Sequence, residues 1–392
     1  MTRRVGSEKH IDSLDGFRGI AILLVFFFHY LPRNPSNPLS WMASLGWTGV
    51  DLFFVLSGFL ITGILYDTRQ STNFFKAFYA RRALRLFPVY FLAVGIVLSA
   101  ATLLRTPTSW KAIPFYIYGA NLMLPLKGGI PDFTPYFNCV HFWSLSVEEQ
   151  FYSLWPLVVF LVPSRRILMQ ICAGGVVGAL IFRVVLTHLG VSTWILYTEL
   201  PARMDSLLAG GMLALAVRGP RPAAWLSRTR LYWVMAGCGL VLVILLFRAR
   251  TLFFTSTAMT SWGYTMIAGV YVCLLALALV PGTMANQVGR FSVLRFFGRY
   301  SYGLYVWHDL PSPVCVSWQS WFTRHIHPLV VGQLVYAVAM LVLFTAVAVG
   351  SYHLLELRFL KLKSRFRYAA PKEESPSLPE LQIPDTTGSV SR

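Results

Sequence analysis

Charge is what this sequence has least of. Of 392 residues, 13% are Asp, Glu, Lys or Arg, against roughly 25% in an ordinary soluble domain. So few charges cannot cover a water-facing surface when 56% of the residues are hydrophobic and the mean hydropathy is +0.58. The chain is therefore expected to lie in a lipid bilayer. The shortage falls mainly on the acids: 16 Asp and Glu face 34 Lys and Arg, for a net charge of +18. Such a balance raises nucleic acid as a partner, but the cations sit between apolar runs and form no stripe, so nucleic acid is excluded. Cysteine is also scarce. Cys139, Cys172, Cys238, Cys273 and Cys315 are scattered, odd in number and mostly inside apolar runs, which gives neither a disulfide framework nor a metal spacing. His29, His141, His308 and His353 lie on different spans and form no His-x-x-x-His pair, so no metal is expected. There is no P-loop and no G-x-G-x-x-G after a strand. The internal repeat of many transporters is missing too. The first apolar run carries Arg18 and His29 and lacks a small-residue cleavage site, so it reads as a span and not as a cleavable leader.

What is present is apolar length. A helix needs about 20 largely apolar residues to cross a bilayer. Ten stretches qualify, at about 16–31, 46–66, 88–104, 141–163, 167–187, 202–217, 231–247, 262–281, 297–317 and 328–352. The expected fold class is all-α, a polytopic integral membrane helical bundle of about ten transmembrane helices. Residues 110–126 are apolar and aromatic but broken by Pro114, and they read as a re-entrant or interfacial segment. With ten spans and a cytoplasmic N-terminus, most of the 34 Lys and Arg fall on the inner side, as the positive-inside rule asks. An eleventh span at 110–126 would destroy that asymmetry. The expected organisation is a cytoplasmic tail over 1–15, a membrane domain over 16–360 and a basic, then disordered, cytoplasmic tail over 361–392. Its disordered part starts near Pro371 and is rich in Pro, Ser, Glu and Thr.

Ionisable groups inside spans are costly and usually functional. Arg18 and His29 are eleven residues apart on the first helix. Eleven steps return to within about 20° of the same face, roughly 16 Å along the axis. One helix face thus carries a cation at its cytoplasmic mouth and an imidazole well inside the membrane, where its ordinary pKa suits a general base. Asp51 opens the second span and needs a cation or donors, which Arg18 or His29 would supply. Gly58 on the same span is expected to permit close helix packing. Arg81, Arg82 and Arg85 precede Pro88 and the third span. Their i,i+3 and i,i+4 spacing makes a fork of guanidiniums at the cytoplasmic surface, suited to a phosphorylated ligand. In His141-Phe142-Trp143-Ser144-Leu145-Ser146-Val147-Glu148-Glu149-Gln150-Phe151-Tyr152, two adjacent acids open an apolar span. They point about 100° apart and cannot share one role. Arg203 with Asp205, His308 with Asp309, and Glu356 read as structural networks rather than catalytic groups.

Taken together, Leu14-Asp15-Gly16-Phe17-Arg18-Gly19 with His29, Gly49 to Gly58, Arg81 to Tyr90, His141 to Tyr152, Arg203 to Gly211, and Ser301 to His308 resemble the acyltransferase 3 family. These are membrane-bound O-acyltransferases that acetylate O-antigens, exopolysaccharides and similar glycans. The stretches follow the family's order over residues 10 to 360. The family's arginine-x10-histidine motif falls on Arg18 and His29, its arginine-x-x-arginine element on Arg82 and Arg85, and its acidic motif on Glu148. Its C-terminal glutamate-x-proline element is not matched, because Glu356-Leu357 is followed by Arg358. The chain is too short for the esterase-like C-terminal domain of many relatives.

The resemblance implies an acyl-CoA donor, acetyl-CoA, bound from the cytoplasm by Arg18, Arg81, Arg82 and Arg85. It implies a glycan or other hydroxyl-bearing acceptor, and a multi-pass protein of the cell inner membrane with both termini inside. His29 is the expected general base, with Glu148 or Asp51 orienting its ring. Direct transfer and an acyl-histidine relay both remain open. The competing class is a transporter or flippase of a glycan or lipid-linked sugar, in which the same groups would be gates or proton relays.

Overall fold

The structure, a computed structural model, describes residues 11–31, 43–106, 109–123, 134–249, 251 and 253–369. The tail expected to be disordered from Pro371 lies outside the described residues, as do residues 1–10 of the N-terminal tail. Ten long helices account for all ten expected spans. They are α1 Asp12–Tyr30, α2 Gly49–Thr68, α3 Phe74–Leu103, α4 Phe142–Leu161, α5 Arg165–His188, α6 Leu200–Val217, α7 Arg228–Ala249, α8 Tyr264–Ala278, α9 Ser292–His308 and α10 Leu329–Ser351. No strand occurs among the described residues, only an isolated bridge between Thr134 and Phe137. An all-α polytopic membrane bundle is the result that lipid dictates, since a helix satisfies its own backbone groups where no water can.

Eight helical stretches among the described residues are long and apolar enough to cross a membrane. The two expected spans that fall outside that set are α4, which carries Ser144, Ser146, Glu148, Glu149 and Gln150, and α9, which has 17 residues. Their polar residues are the ones that build the site below. Two expected boundaries move. The third helix starts at Phe74, not at Pro88, so Arg81, Arg82 and Arg85 lie two to three turns inside it rather than ahead of it. The ninth span ends at His308 and not near residue 317; Leu310-Pro311 follows, and a new helix runs Ser312–His325. Proline disfavours a helical residue before it and lacks the N–H that would continue the ladder. The last helix continues past residue 352 through a wider turn to Arg365.

The segment at 110–126 does not form a spanning helix in its described part, which has short turns at Ser109–Ala112, Ile113–Tyr116 and Ala120–Leu122. Part of it is tucked into the bundle, while Ile113, Tyr116, Ile117 and Leu122 stay exposed. Phe115, Tyr118, Ala120 and Asn121 are buried. Irregular backbone at membrane depth must find partners in protein, and here it does. Ala120 N–H donates to Ser146 Oγ at 3.1 Å, Gln150 Nε2 donates to Tyr118 O at 3.1 Å, and Tyr90 OH donates to Phe115 O at 2.9 Å.

Helix α1 packs most extensively against α9, and α2 against α6. Both contacts rest on glycines where one backbone touches another. A Cβ on Gly298 would sit 1.8 Å from Asp15 O, and one on Gly19 would sit 2.0 Å from Leu294 O. At the second contact, a Cβ on Gly58 would meet Leu207 O at 1.8 Å, as the packing role expected for Gly58 requires. Small residues at such crossings let helices in lipid gain van der Waals contact. Gly298→Ala is expected to destabilise the protein by about 1–3 kcal/mol, the cost of overpacking. Thermal unfolding in detergent, followed by size-exclusion fluorescence, would show an earlier transition; an unchanged transition would refute the contact.

Candidate active site

Helix α1 begins with Asp12 and Asp15 in its first turn and ends with His29 in its last, so its dipole is complemented at both ends. Arg18 and His29 share one face, with Ile22 and Val25 between them, both buried. The two polar residues differ from that apolar strip in remaining partly open: 23% of the Arg18 side chain and 24% of the His29 side chain is exposed. Each therefore faces a space at its own end of the bundle, with a closed stretch between.

At the Arg18 end, three helices converge. Arg18 Nη1 reaches Asp15 Oδ1 at 3.3 Å. Arg82 and Arg85 of α3 lie close enough to act on Arg18 electrostatically. Arg85 has no ion-pair partner among the described residues, although Glu356, buried in the last helical segment, lies in its neighbourhood. The Arg82 guanidinium sits over the rings of Tyr152 at 5.3 Å and Phe78 at 5.9 Å. Arg81 turns outward from this group, over the ring of Tyr368 at 5.7 Å. Glu148 belongs to this end, not to the histidine. It accepts a hydrogen bond from Ser57 Oγ at 2.5 Å and has Arg82 and Arg18 as its charged neighbours.

At the other end, the stop of α9 at Pro311 places Asp309 beside three imidazoles. His29 Nδ1 lies 2.8 Å from Val25 O. A carbonyl can only accept, so Nδ1 carries the hydrogen and Nε2 is the basic nitrogen of the neutral ring. That Nε2 is 3.9 Å from Asp309 Oδ2. His141 Nδ1 is 3.4 Å from the same oxygen, and its Nε2 donates to Val306 O at 3.1 Å. His308 donates from Nδ1 to Tyr305 O, and its ring centroid is 5.0 Å from that of His29. Asn138 Nδ2 donates to Asp309 Oδ2 at 3.0 Å and reaches Ser312 Oγ at 3.4 Å. Among the described residues, no group of three or more His, Cys, Asp or Glu converges as metal ligands. Chemically, the arrangement is a partly open base with a nearly buried carboxylate facing it.

Asp51 is placed elsewhere. It is fully buried, accepts from Arg203 Nη2 at 2.7 Å and from Ser206 Oγ at 3.2 Å. Arg203 also stacks on Tyr264, with its guanidinium 4.1 Å from the ring centroid. Asp205, two residues on, points to the other side and pairs with Arg183 Nη2 at 2.8 Å. The structure brings neither Asp51 nor Glu148 to the His29 ring, where one of them was expected; the ring is held by Val25 O at Nδ1, and the carboxylate nearest its Nε2 is Asp309, at 3.9 Å. In the sequence, His308 and Asp309 sit mid-span and read as a structural network. The signal available was the proline two residues after Asp309, which turns a mid-span aspartate into a helix-end one.

A family model described as an acyltransferase domain matches residues 11–353. The chain belongs to the acyltransferase 3 family. It is 30% identical over 322 residues to the peptidoglycan O-acetyltransferase OatA of Listeria monocytogenes, covering 77% of this chain and 49% of that protein. It is 30% identical over 340 residues to YrhL of Bacillus subtilis, provisionally assigned as a peptidoglycan O-acetyltransferase, covering 79% and 49%. An O-acetyltransferase provisionally assigned in Staphylococcus aureus strain COL is 27% identical over 326 residues, covering 76% and 50%. The chain spans about half the length of the curated relatives it matches. No solved structure matches it significantly.

Breaking a buried ion pair by removing one partner costs about 3–5 kcal/mol, whereas replacing both with apolar groups is often neutral. Asp51→Ala is therefore expected to lower the thermal transition strongly, and Asp51→Leu with Arg203→Met to recover most of it. Recovered stability without recovered activity would instead assign Asp51 to the chemistry.

Proposed function

We propose that the protein is a membrane-bound O-acyltransferase that moves an acetyl group from acetyl-CoA to a hydroxyl of a carbohydrate. The observation that carries this reading is the pairing on α1: a guanidinium cluster at one end, and at the other a histidine whose basic Nε2 faces a carboxylate. Membership of the acyltransferase 3 family and similarity to peptidoglycan O-acetyltransferases support the reaction class and a carbohydrate acceptor.

The Arg18 end is the cytoplasmic end in this proposal, as the excess of Lys and Arg in the inner loops favours. Arg18, Arg82 and Arg85 bind the phosphates of coenzyme A, since guanidinium suits phosphate by its forked geometry; Arg81 attracts the donor at the rim. Glu148, held by Ser57, steadies Arg82 and Arg18. To deliver the thioester to His29, the pantetheine arm must part the packed stretch at Ile22 and Val25, which is closed in this structure. The acceptor hydroxyl gives its proton to His29 Nε2 while its oxygen attacks the thioester carbonyl. The resulting imidazolium is stabilised by the Asp309 carboxylate 3.9 Å from the same Nε2, while Val25 O holds the Nδ1 hydrogen. Collapse of the tetrahedral intermediate breaks the C–S bond and forms the ester. The coenzyme thiolate leaves with the proton that His29 holds.

Incubating the purified full-length chain with radiolabelled acetyl-CoA and carbohydrate tests the reading. His29→Ala is expected to lose about 10²–10⁴-fold in transfer while it still binds the donor. Arg85→Ala is expected to raise the KM for acetyl-CoA about 10- to 100-fold, from the loss of about 1.5–3 kcal/mol in charged hydrogen bonds. A well-folded His29→Ala variant that transfers at the wild-type rate would overturn the proposal, as would passage of a solute without consumption of the thioester.

A further inference from the structure

We infer that the recess between Thr134–Val140 and Ser312–Val316, at the His29 end of the bundle, is the acceptor subsite and takes an uncharged sugar ring. This inference rests on the transferase reading above and gives it the acceptor side that its motifs leave open. The recess has a volume of about 570 Å³, within the roughly 300–1,000 Å³ of small-molecule sites. Its wall is Thr106, Asn138 and Ser312 interleaved with Phe137, Pro313 and Val316, among others, and no charged side chain among the described residues lines it. Apolar facets with a few hydroxyl and amide groups suit a pyranose, which presents C–H faces and hydroxyl edges. The same wall offers nothing to neutralise an acidic sugar.

Position makes the recess more than a surface hollow. Asn138 lines it and donates to Asp309 Oδ2, the oxygen that faces His29 Nε2. The recess wall is therefore two contacts from the base. Asn138 is fully engaged: Oδ1 accepts from Val140 N–H, and Nδ2 is directed to Asp309 and Ser312. It fixes the wall and Asp309 together. Ser312 Oγ accepts from Asn138, so its own hydrogen remains to be offered to a sugar oxygen. The donor cluster stands at the opposite end of α1. Acceptor and donor would thus reach His29 from separate sides of the bundle, which leaves the thioester carbonyl face open to the attacking hydroxyl.

The test uses the purified full-length chain, radiolabelled acetyl-CoA and two probes: a neutral N-acetylglucosamine oligomer and an oligomer of an acidic uronic acid. Acetyl transfer to the neutral probe and not to the acidic one is expected. Ser312→Phe fills the recess and should raise the KM for the neutral oligomer at least tenfold with the KM for acetyl-CoA unmoved. Ser312→Thr keeps the hydroxyl and should keep the acceptor KM. Should Ser312→Phe fail to fold, Val316→Trp decides, because Val316 is 58% exposed and tolerates a larger side chain. An unchanged acceptor KM, an equal rise in both KM values, or preference for the acidic oligomer would overturn the subsite. A wild-type protein that consumes no acetyl-CoA would overturn the transferase reading itself, and the subsite with it.

Discussion

The arrangement of this molecule depends on a backbone-to-backbone crossing. Gly16 and Gly19 of α1 meet Gly289 and Leu294, and Gly298 of α9 meets Asp15. In lipid, hydrophobicity does not drive helices together, so close packing of small residues must. Two rigid helices pressed together at one end have their other ends fixed relative to each other. That is how His29, near the end of α1, comes within reach of Asp309 at the end of α9. A side chain added at the crossing would separate a base from its carboxylate at the far end of both helices.

Around that axis, polar groups fall into three sets with different demands. The arginines near Arg18 remain partly open and are interleaved with Asp15, Glu148 and Glu356. The Asp51–Arg203 and Asp205–Arg183 pairs are fully buried, and Asp51 Oδ2, Arg203 Nε and Nη1 and Arg183 Nε keep no hydrogen-bond partner. The set around Asp309 holds one partly open imidazole, His29, against one nearly closed carboxylate. Burial separates their roles. The fully buried pairs hold helices together, whereas Arg18 and His29 each keep about a quarter of the side chain exposed.

The irregular segment over 109–123 shows how α4 spends its polar residues. It brings irregular backbone to the depth of Ser146 and Gln150, where each polar group needs a partner in protein. Those partners come from α4, the helix whose polar content keeps it out of the plainly apolar set. The polar residues of α4 therefore have two uses: Ser146 and Gln150 hold the irregular segment, and Glu148 faces the arginines. His141, which immediately precedes the helix, faces Asp309.

The sequence by itself determined the bilayer as solvent, the all-α class, the existence of ten helices and the shared face of Arg18 and His29. All of these follow from composition and a 3.6-residue period, which act locally. It also marked 110–126 as unable to span, because Pro114 interrupts it. Tertiary structure alone decided which carboxylate meets His29. Asp51, Glu148 and Asp309 are chemically alike and all sit in apolar runs. Their partners depend on helix rotation and on where a helix stops, and these are set by glycine crossings between segments distant in sequence. A periodic pattern fixes the face of one helix; only packing fixes which face of another it meets.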